Sequence, residues 1–150
     1  MVPTEIQSAS VQAPLFDSPQ SKSKPKHVVK STDLTANEVR LILDTAKLQK
    51  SLRNKGSWPF EPYADRMMAM VFEKQSLRTR VSFETLMYEL GGHAVYLTKH
   101  DIEMGVRESI ADTARVLSNW SAIIVARLYK QSDIEELAQW STVPVINALT

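Results

Sequence analysis

The apolar positions of this chain fall into two regimes. Up to about Lys30 they follow no period: the segment is rich in Ser, Pro and Gln and runs through the lysine-spaced stretch Ser21-Lys22-Ser23-Lys24-Pro25-Lys26. A composition with so little to bury predicts a flexible tail over residues 1–30. Its few acidic residues also suit a targeting segment, although it has no arginine and no amphipathic helical pattern. Order is expected from about Thr32. Thr35-Ala36-Asn37-Glu38 sets a hydroxyl and a carboxylate three residues apart, the spacing in which each satisfies the other's backbone N–H at a helix start. Val39, Ile42, Leu43 and Ala46 then recur at helical spacing and predict an amphipathic helix to about Leu52. Asn54-Lys55-Gly56 ends it, and Trp58-Pro59-Phe60-Glu61-Pro62 predicts a stiff connector.

From Met67 onward, short apolar runs alternate with amphipathic stretches. Met67 to Phe72 is uniformly apolar, as expected of a strand covered on both faces. Arg80 to Leu90 carries Val81, Phe83, Leu86, Met87 and Leu90 and predicts a helix stopped by Gly91-Gly92. Further strands are expected at Ala94–Leu97, Ile123–Ala126 and Val143–Ile146. Helices are expected at Ser109–Trp120, with Ile110, Ala114, Leu117 and Val116 inward, and at Asp133–Trp140. This alternation defines an α/β class: a three-layer domain over residues 31–150, with a parallel sheet of about four βα units and helices on both faces. Met67, Met68 and Met70 read as core. Trp120 and Trp140 end helices and are expected against the sheet or at a subunit face.

Composition narrows the function. With 150 residues, 43% hydrophobic and 23% charged, the chain suits one globular domain. A formal net charge of +1 gives no field to attract nucleic acid, so any basic function must be a local site. There are no cysteines, which excludes disulfides and thiolate metal sites and is compatible with a reducing intracellular compartment, cytoplasm or organelle matrix. His27, His93 and His100 lack ligand spacing, so no metal is expected; His93 reads as a strand start and Lys99-His100-Asp101 as a surface loop. No apolar run approaches the roughly 20 residues needed to cross a bilayer.

The chemistry is expected where open α/β sheets bind ligands, at the carboxyl ends of the strands. After Phe72 comes Glu73-Lys74-Gln75-Ser76-Leu77-Arg78-Thr79-Arg80, with two hydroxyls and two guanidinium groups within five residues of a helix start. Unpaired N–H groups and the positive end of the helix dipole converge there, which suits a phosphate. The same Ser and Thr could equally be ordinary helix caps, with the arginines in solvent. The glycine-rich signatures of nucleotide sites are absent from this stretch.

Phe72-Glu73-Lys74-Gln75-Ser76-Leu77-Arg78-Thr79-Arg80-Val81-Ser82-Phe83-Glu84 resembles the phosphate-binding motif of the aspartate and ornithine carbamoyltransferases, usually Ser-Thr-Arg-Thr-Arg. The resemblance continues through Leu90 to Leu97, Asp101 to Ser109, Asp112 to Ser118, Val125 to Tyr129 and Val143 to Thr150. It therefore reaches from about Thr32 to the last residue, in order. The Asp101-Ile102-x-x-Gly105-x-x-Glu108-Ser109 block and the Ala126-Arg127-x-Tyr129 strand end look like the ornithine branch.

The resemblance implies the carbamoyl-phosphate-binding half of such an enzyme. It assigns Ser76, Leu77, Arg78 and Thr79 as ligands of the phosphate of carbamoyl phosphate, Leu77 through its backbone N–H. Arg127 matches the family arginine that reaches carbamoyl phosphate, and Arg80 is expected to brace the loop. Arg78 and Arg127, with Thr79, would carry catalysis by positioning and charge stabilisation. Two positions depart from the family pattern. Leu77 stands where threonine is common, and Glu103 aligns with a Gln or His that reaches the phosphate of a neighbouring subunit. The implied partners are carbamoyl phosphate, L-ornithine through a second domain not contained in these residues, and two further copies in a homotrimer; no cofactor, nucleic acid or membrane is implied. The reaction would be carbamoyl transfer to ornithine, giving L-citrulline and phosphate, with no turnover expected of these 150 residues alone. Transfer to another amine (acetylornithine or putrescine) and a non-catalytic phosphate-binding or assembly role are the alternatives.

Overall fold

The computed structural model describes residues 25–56 and 61–150. The 1–24 part of the expected tail and the Trp58-Pro59-Phe60 part of the connector lie outside the described residues. A short 3-10 turn at Ser31–Asp33 leads to α1 (Ala36–Asn54). The capping box at its start is present: Glu38 N donates to Thr35 Oγ1 at 3.3 Å, and Thr35 N donates to Glu38 Oε2 at 2.8 Å. Then follow β1 (Met67–Phe72), α2 (Leu77–Glu89), β2 (His93–Thr98), α3 (Lys99–Ile102), α4 (Ile110–Trp120), β3 (Ile123–Arg127), α5 (Gln131–Trp140) and β4 (Val145–Asn147).

All four strands are parallel, in the order β2-β1-β3-β4. Because side chains alternate along a strand, each central strand feeds two cores. Ala69 and Val71 of β1, with Ile124 and Ala126 of β3, face a layer built on Ala114 and Leu117 of α4 and Ile134, Leu137 and Ala138 of α5. Met68, Met70 and Phe72, with Val125, face the opposite layer, where Met87 of α2 packs with Phe83 and Tyr63. Helices thus cover both faces, and the methionines of β1 are core side chains, Met70 fully buried.

The departures from the sequence reading are local. Packing begins before Thr32: Val28 bridges to Ile146 beside β4, and Val29 is buried. The last strand starts two residues later than expected. Pro144 has no N–H for a ladder, and the Ser141 hydroxyl binds both polar groups of Val143, at 2.7 Å and 3.2 Å. Lys99-His100-Asp101 is a helical turn rather than a loop, because Asp101 accepts from Thr98 N at 2.7 Å in a second capping box. Val116 is exposed rather than inward, and Trp120 is 69% exposed rather than packed on the sheet. Trp140 is stacked under the Arg115 guanidinium, 4.3 Å from the ring centroid. No residue of α1 is buried, so its apolar stripe (Val39, Ile42, Leu43) lies open in this domain.

Candidate anion-binding site

The strand order gives this sheet a switch point. The chain leaves β1 for β2 on one side and returns to β3 on the other, so the connections after β1 and β3 diverge and leave a crevice at their carboxyl ends. Phe72 pairs with Arg127 in register, which brings both strand ends to the same level.

On the β1 side, α2 begins three residues earlier than its apolar period suggests. Ser76 is extended (φ −158°, ψ 111°) and its hydroxyl accepts from Thr79 N at 3.3 Å, so Leu77, Arg78 and Thr79 form the first helical turn. The N–H groups of Leu77 and Arg78 have no carbonyl four residues back within the helix, and they join the positive end of its dipole. On the β3 side, Arg127 extends its side chain toward that turn: Nη1 donates to Thr79 Oγ1 at 3.4 Å. Arg127 Nε is buried and has no hydrogen-bond partner among the described residues. A buried donor left unpaired costs about 1–3 kcal/mol, a cost an incoming oxyanion would relieve.

Of the residues singled out in the sequence, Ser76, Thr79 and Arg127 are therefore brought together by hydrogen bonds. Leu77 and Arg78 share the turn but point to the exterior. Leu77 is 79% exposed. Arg78 lines an open groove of about 860 Å³ on the outer face of α2, with Arg53, Thr85 and Glu89. The Arg53–Glu89 ion pair (2.6 Å) ties α1 to α2 at its far end. Arg80 braces α2 against β2 rather than the loop the sequence reading expects: Nε bonds Glu84 Oε1 at 2.9 Å, and its guanidinium lies 3.9 Å from the Tyr96 ring centroid. Glu103 sits elsewhere, as the left-handed residue (φ 48°) that closes α3, with its side chain in solvent.

Glu73 was not among the sequence candidates. Its N–H donates to Arg127 O at 3.0 Å and its Oε2 accepts from Tyr129 N at 2.7 Å. No sequence signal announces it, because both partners are backbone groups distant in the chain, one at the end of β3 and one just after it.

An open parallel sheet with hydroxyl, guanidinium and helix N-terminus converging at its switch point defines an α/β domain with a candidate anion site. Residues 26–150 match the family described as aspartate/ornithine carbamoyltransferase, carbamoyl-P binding domain, and the chain belongs to that family. It is 49% identical over 118 residues to the anabolic ornithine carbamoyltransferase of Pyrococcus furiosus, covering 79% of this chain and 37% of that protein. The fold superposes on the solved ornithine carbamoyltransferase from Pyrococcus furiosus with a TM-score of 0.81 and 46% identity, covering 84% of this chain and 40% of that one. The catalytic subunit of M. jannaschii aspartate transcarbamoylase superposes with a TM-score of 0.73 at 35% identity, over 82% of this chain and 40% of that one. The chain thus spans well under half the length of the relatives it matches.

Proposed function

We propose that this domain holds carbamoyl phosphate for transfer of its carbamoyl group to L-ornithine, yielding L-citrulline and phosphate. The observation that carries this reading is the Arg127 guanidinium, with Nε buried and unpaired, hydrogen-bonded to Thr79 in the first turn of α2. Phosphate oxygens would take the Leu77 and Arg78 N–H groups and the Ser76 and Thr79 hydroxyls, and the Arg78 guanidinium would swing in from the outer groove to join them. Arg127, reaching in from β3, would bridge the phosphate and the carbamoyl oxygen. A neutral amine would attack the carbamoyl carbon, the C–O bond to phosphate would break, and the proton lost by nitrogen would pass to the departing phosphate or to solvent. Arg78, Thr79 and Arg127 would stabilise charge on the carbonyl oxygen and the departing phosphate.

Ornithine as acceptor is supported by the names of the similar proteins and by the Asp101 to Ser109 block. Aspartate transcarbamoylase likewise shares the fold. In this reading the acceptor is bound by a second domain of the kind the longer relatives have room for, and the site is completed in a homotrimer in which Glu103 lies at the contact to the neighbouring subunit's site, where Lys99 and Arg107 would offset its repulsion of the phosphate. The test is calorimetric titration of the chain with carbamoyl phosphate, beside Arg78→Ala and Arg127→Ala. Saturable binding is expected, abolished in Arg78→Ala and weakened but still measurable in Arg127→Ala. Binding unchanged in both would exclude the motif as the phosphate site. The 150-residue chain alone is expected to form no citrulline, and turnover by it would refute the two-domain reading.

A further inference from the structure

Glu73 occupies an unusual place for a carboxylate, at the lip of a crevice built for an anion. Its charge would oppose a phosphate, so its presence there needs another account. The geometry supplies one. Glu73 is the first residue after β1, and it grips the loop after β3 at two points on either side of Leu128: its N–H holds Arg127 O at 3.0 Å, and its carboxylate holds Tyr129 N at 2.7 Å. Leu128 itself is fully buried and its N–H is held by Thr150 Oγ1 at 3.0 Å, so the main chain on the far side of Arg127 is fixed from two directions. Lys74 lies 5.8 Å from the centroid of the Tyr129 ring, closing the same junction from the outside.

We propose that Glu73 is a positioning residue for Arg127. It acts as a hydrogen-bond acceptor that locks the Arg127–Tyr129 main chain to the end of β1, and so aims the guanidinium at Thr79. The inference rests on the anion-site reading above and names a residue through which that site is assembled. Two consequences separate this role from a direct one. The acceptor matters and the charge does not, because an amide oxygen can also receive the Tyr129 N–H. The effect of removing Glu73 also passes through Arg127, so it vanishes when the guanidinium is already gone.

The experiment is nuclear magnetic resonance of the full chain, following the Tyr129 amide and the Arg127 Nε–Hε signal, with carbamoyl phosphate then titrated in. In Glu73→Ala, both signals are expected to move in the ligand-free protein while the amides of β1 and β2 stay in place. Binding is expected to weaken about tenfold, the size of one hydrogen bond to a charged group. Glu73→Gln is expected to keep the Arg127 signal and to bind within about threefold of the parent, or more tightly, since it retains the acceptor and drops a repelling charge. In an Arg127→Ala background, Glu73→Ala is expected to cost nothing more. An unmoved Arg127 signal in Glu73→Ala, an equal loss in the Arg127→Ala background, or a Glu73→Gln variant as weak as Glu73→Ala would each overturn the proposal. If the parent chain ignores carbamoyl phosphate while the Arg127 signal still responds to Glu73→Ala, the anion-site reading is what fails, and the clamp is then only structural.

Discussion

Arg127 reaches from the end of β3 to the first turn of α2 and donates from Nη1 to Thr79 Oγ1 at 3.4 Å, across 48 residues of sequence. The contact is long for a hydrogen bond to an uncharged acceptor, and Nε beside it has no partner among the described residues. A guanidinium held this way is placed but not consumed. Its planar fork can close on two oxygens at once without giving up a strong interaction first.

That geometry makes Arg127→Lys the informative substitution. Lysine keeps the charge but presents a point donor on a flexible stem, and it cannot bond Thr79 and a phosphate in one plane. We expect carbamoyl phosphate affinity to fall by about tenfold or more, from the roughly 1.5–3 kcal/mol of a hydrogen bond to a charged group. Thermal stability should stay near that of the parent. Calorimetry with a melting curve on the same sample reads both, and parental affinity in Arg127→Lys would show that only charge is used.

Leu77 predicts an effect of the opposite sign. It caps no core, being 79% exposed, and it stands at the first position of α2, where a hydroxyl would lie beside the N–H groups already facing the crevice. Leu77→Thr restores the donor common in the family and is expected to tighten binding by about three- to tenfold, less than a full charged hydrogen bond because the site is open to water. No change in the dissociation constant would mean that the position contributes its backbone alone.

The strands were legible in the sequence because a strand covered on both faces reads as an unbroken apolar run, as Met67 to Phe72 does. The crevice was legible as a rule about strand ends, and Ser76, Thr79 and Arg127 followed from it and from the family resemblance. The order β2-β1-β3-β4 was not, because pairing partners are chosen by contacts remote in sequence. The start of α2 was misplaced because the apolar period begins only after the cap has already turned the chain at Ser76. Glu73 was missed for a different reason: its partner is the Tyr129 N–H, 56 residues away, and a backbone donor leaves no trace in side-chain pattern. The open stripe of α1 shows the converse, a period read correctly whose burial does not occur within this domain.

Gly92 tests the packing that seats α2. A Cβ there would lie 2.5 Å from Met87 Cε, 2.7 Å from Arg66 O and 2.9 Å from Tyr63 O. The methionine tip can swing aside, but the two carbonyls belong to the connector that hydrogen-bonds to the end of α2 and the start of β2, through Tyr63 N to Leu90 O and His93 N to Arg66 O, at 2.9 Å and 3.0 Å. Gly92→Ala is therefore expected to destabilise the domain by about 1–3 kcal/mol, the usual cost of overpacking. The urea midpoint should fall with an unchanged slope. A midpoint within error of the parent would show that the connector yields.

His27 makes the N-terminal edge of the sheet dependent on pH. Its Nδ1 accepts from Val145 N at 3.2 Å, and the neighbouring Val28 exchanges backbone hydrogen bonds with Val145 and Asn147, both at 2.8 Å. An imidazolium has no lone pair to accept with, so protonation breaks the first of these bonds. Burial lowers the pKa of His27 below its ordinary 6.5, against an opposing pull from the Asp33 carboxylate. Lys26, Lys30 and Glu135 border the same depression, the two lysines disfavouring the proton and Glu135 favouring it. The sign follows from linkage: the folded segment binds the proton less readily than the unfolded one, so its stabilisation is complete above about 6.5 and is lost as pH falls through the depressed folded value. We expect hydrogen exchange at the Val145 and Asn147 amides, normalised for intrinsic rate, to quicken as pH drops below 6.5 while that of the β1 amides holds steady. His27→Asn, whose side-chain oxygen accepts without titrating, should flatten the profile. A profile in the parent as flat as in His27→Asn would mean that Val28, and not His27, holds this edge in place.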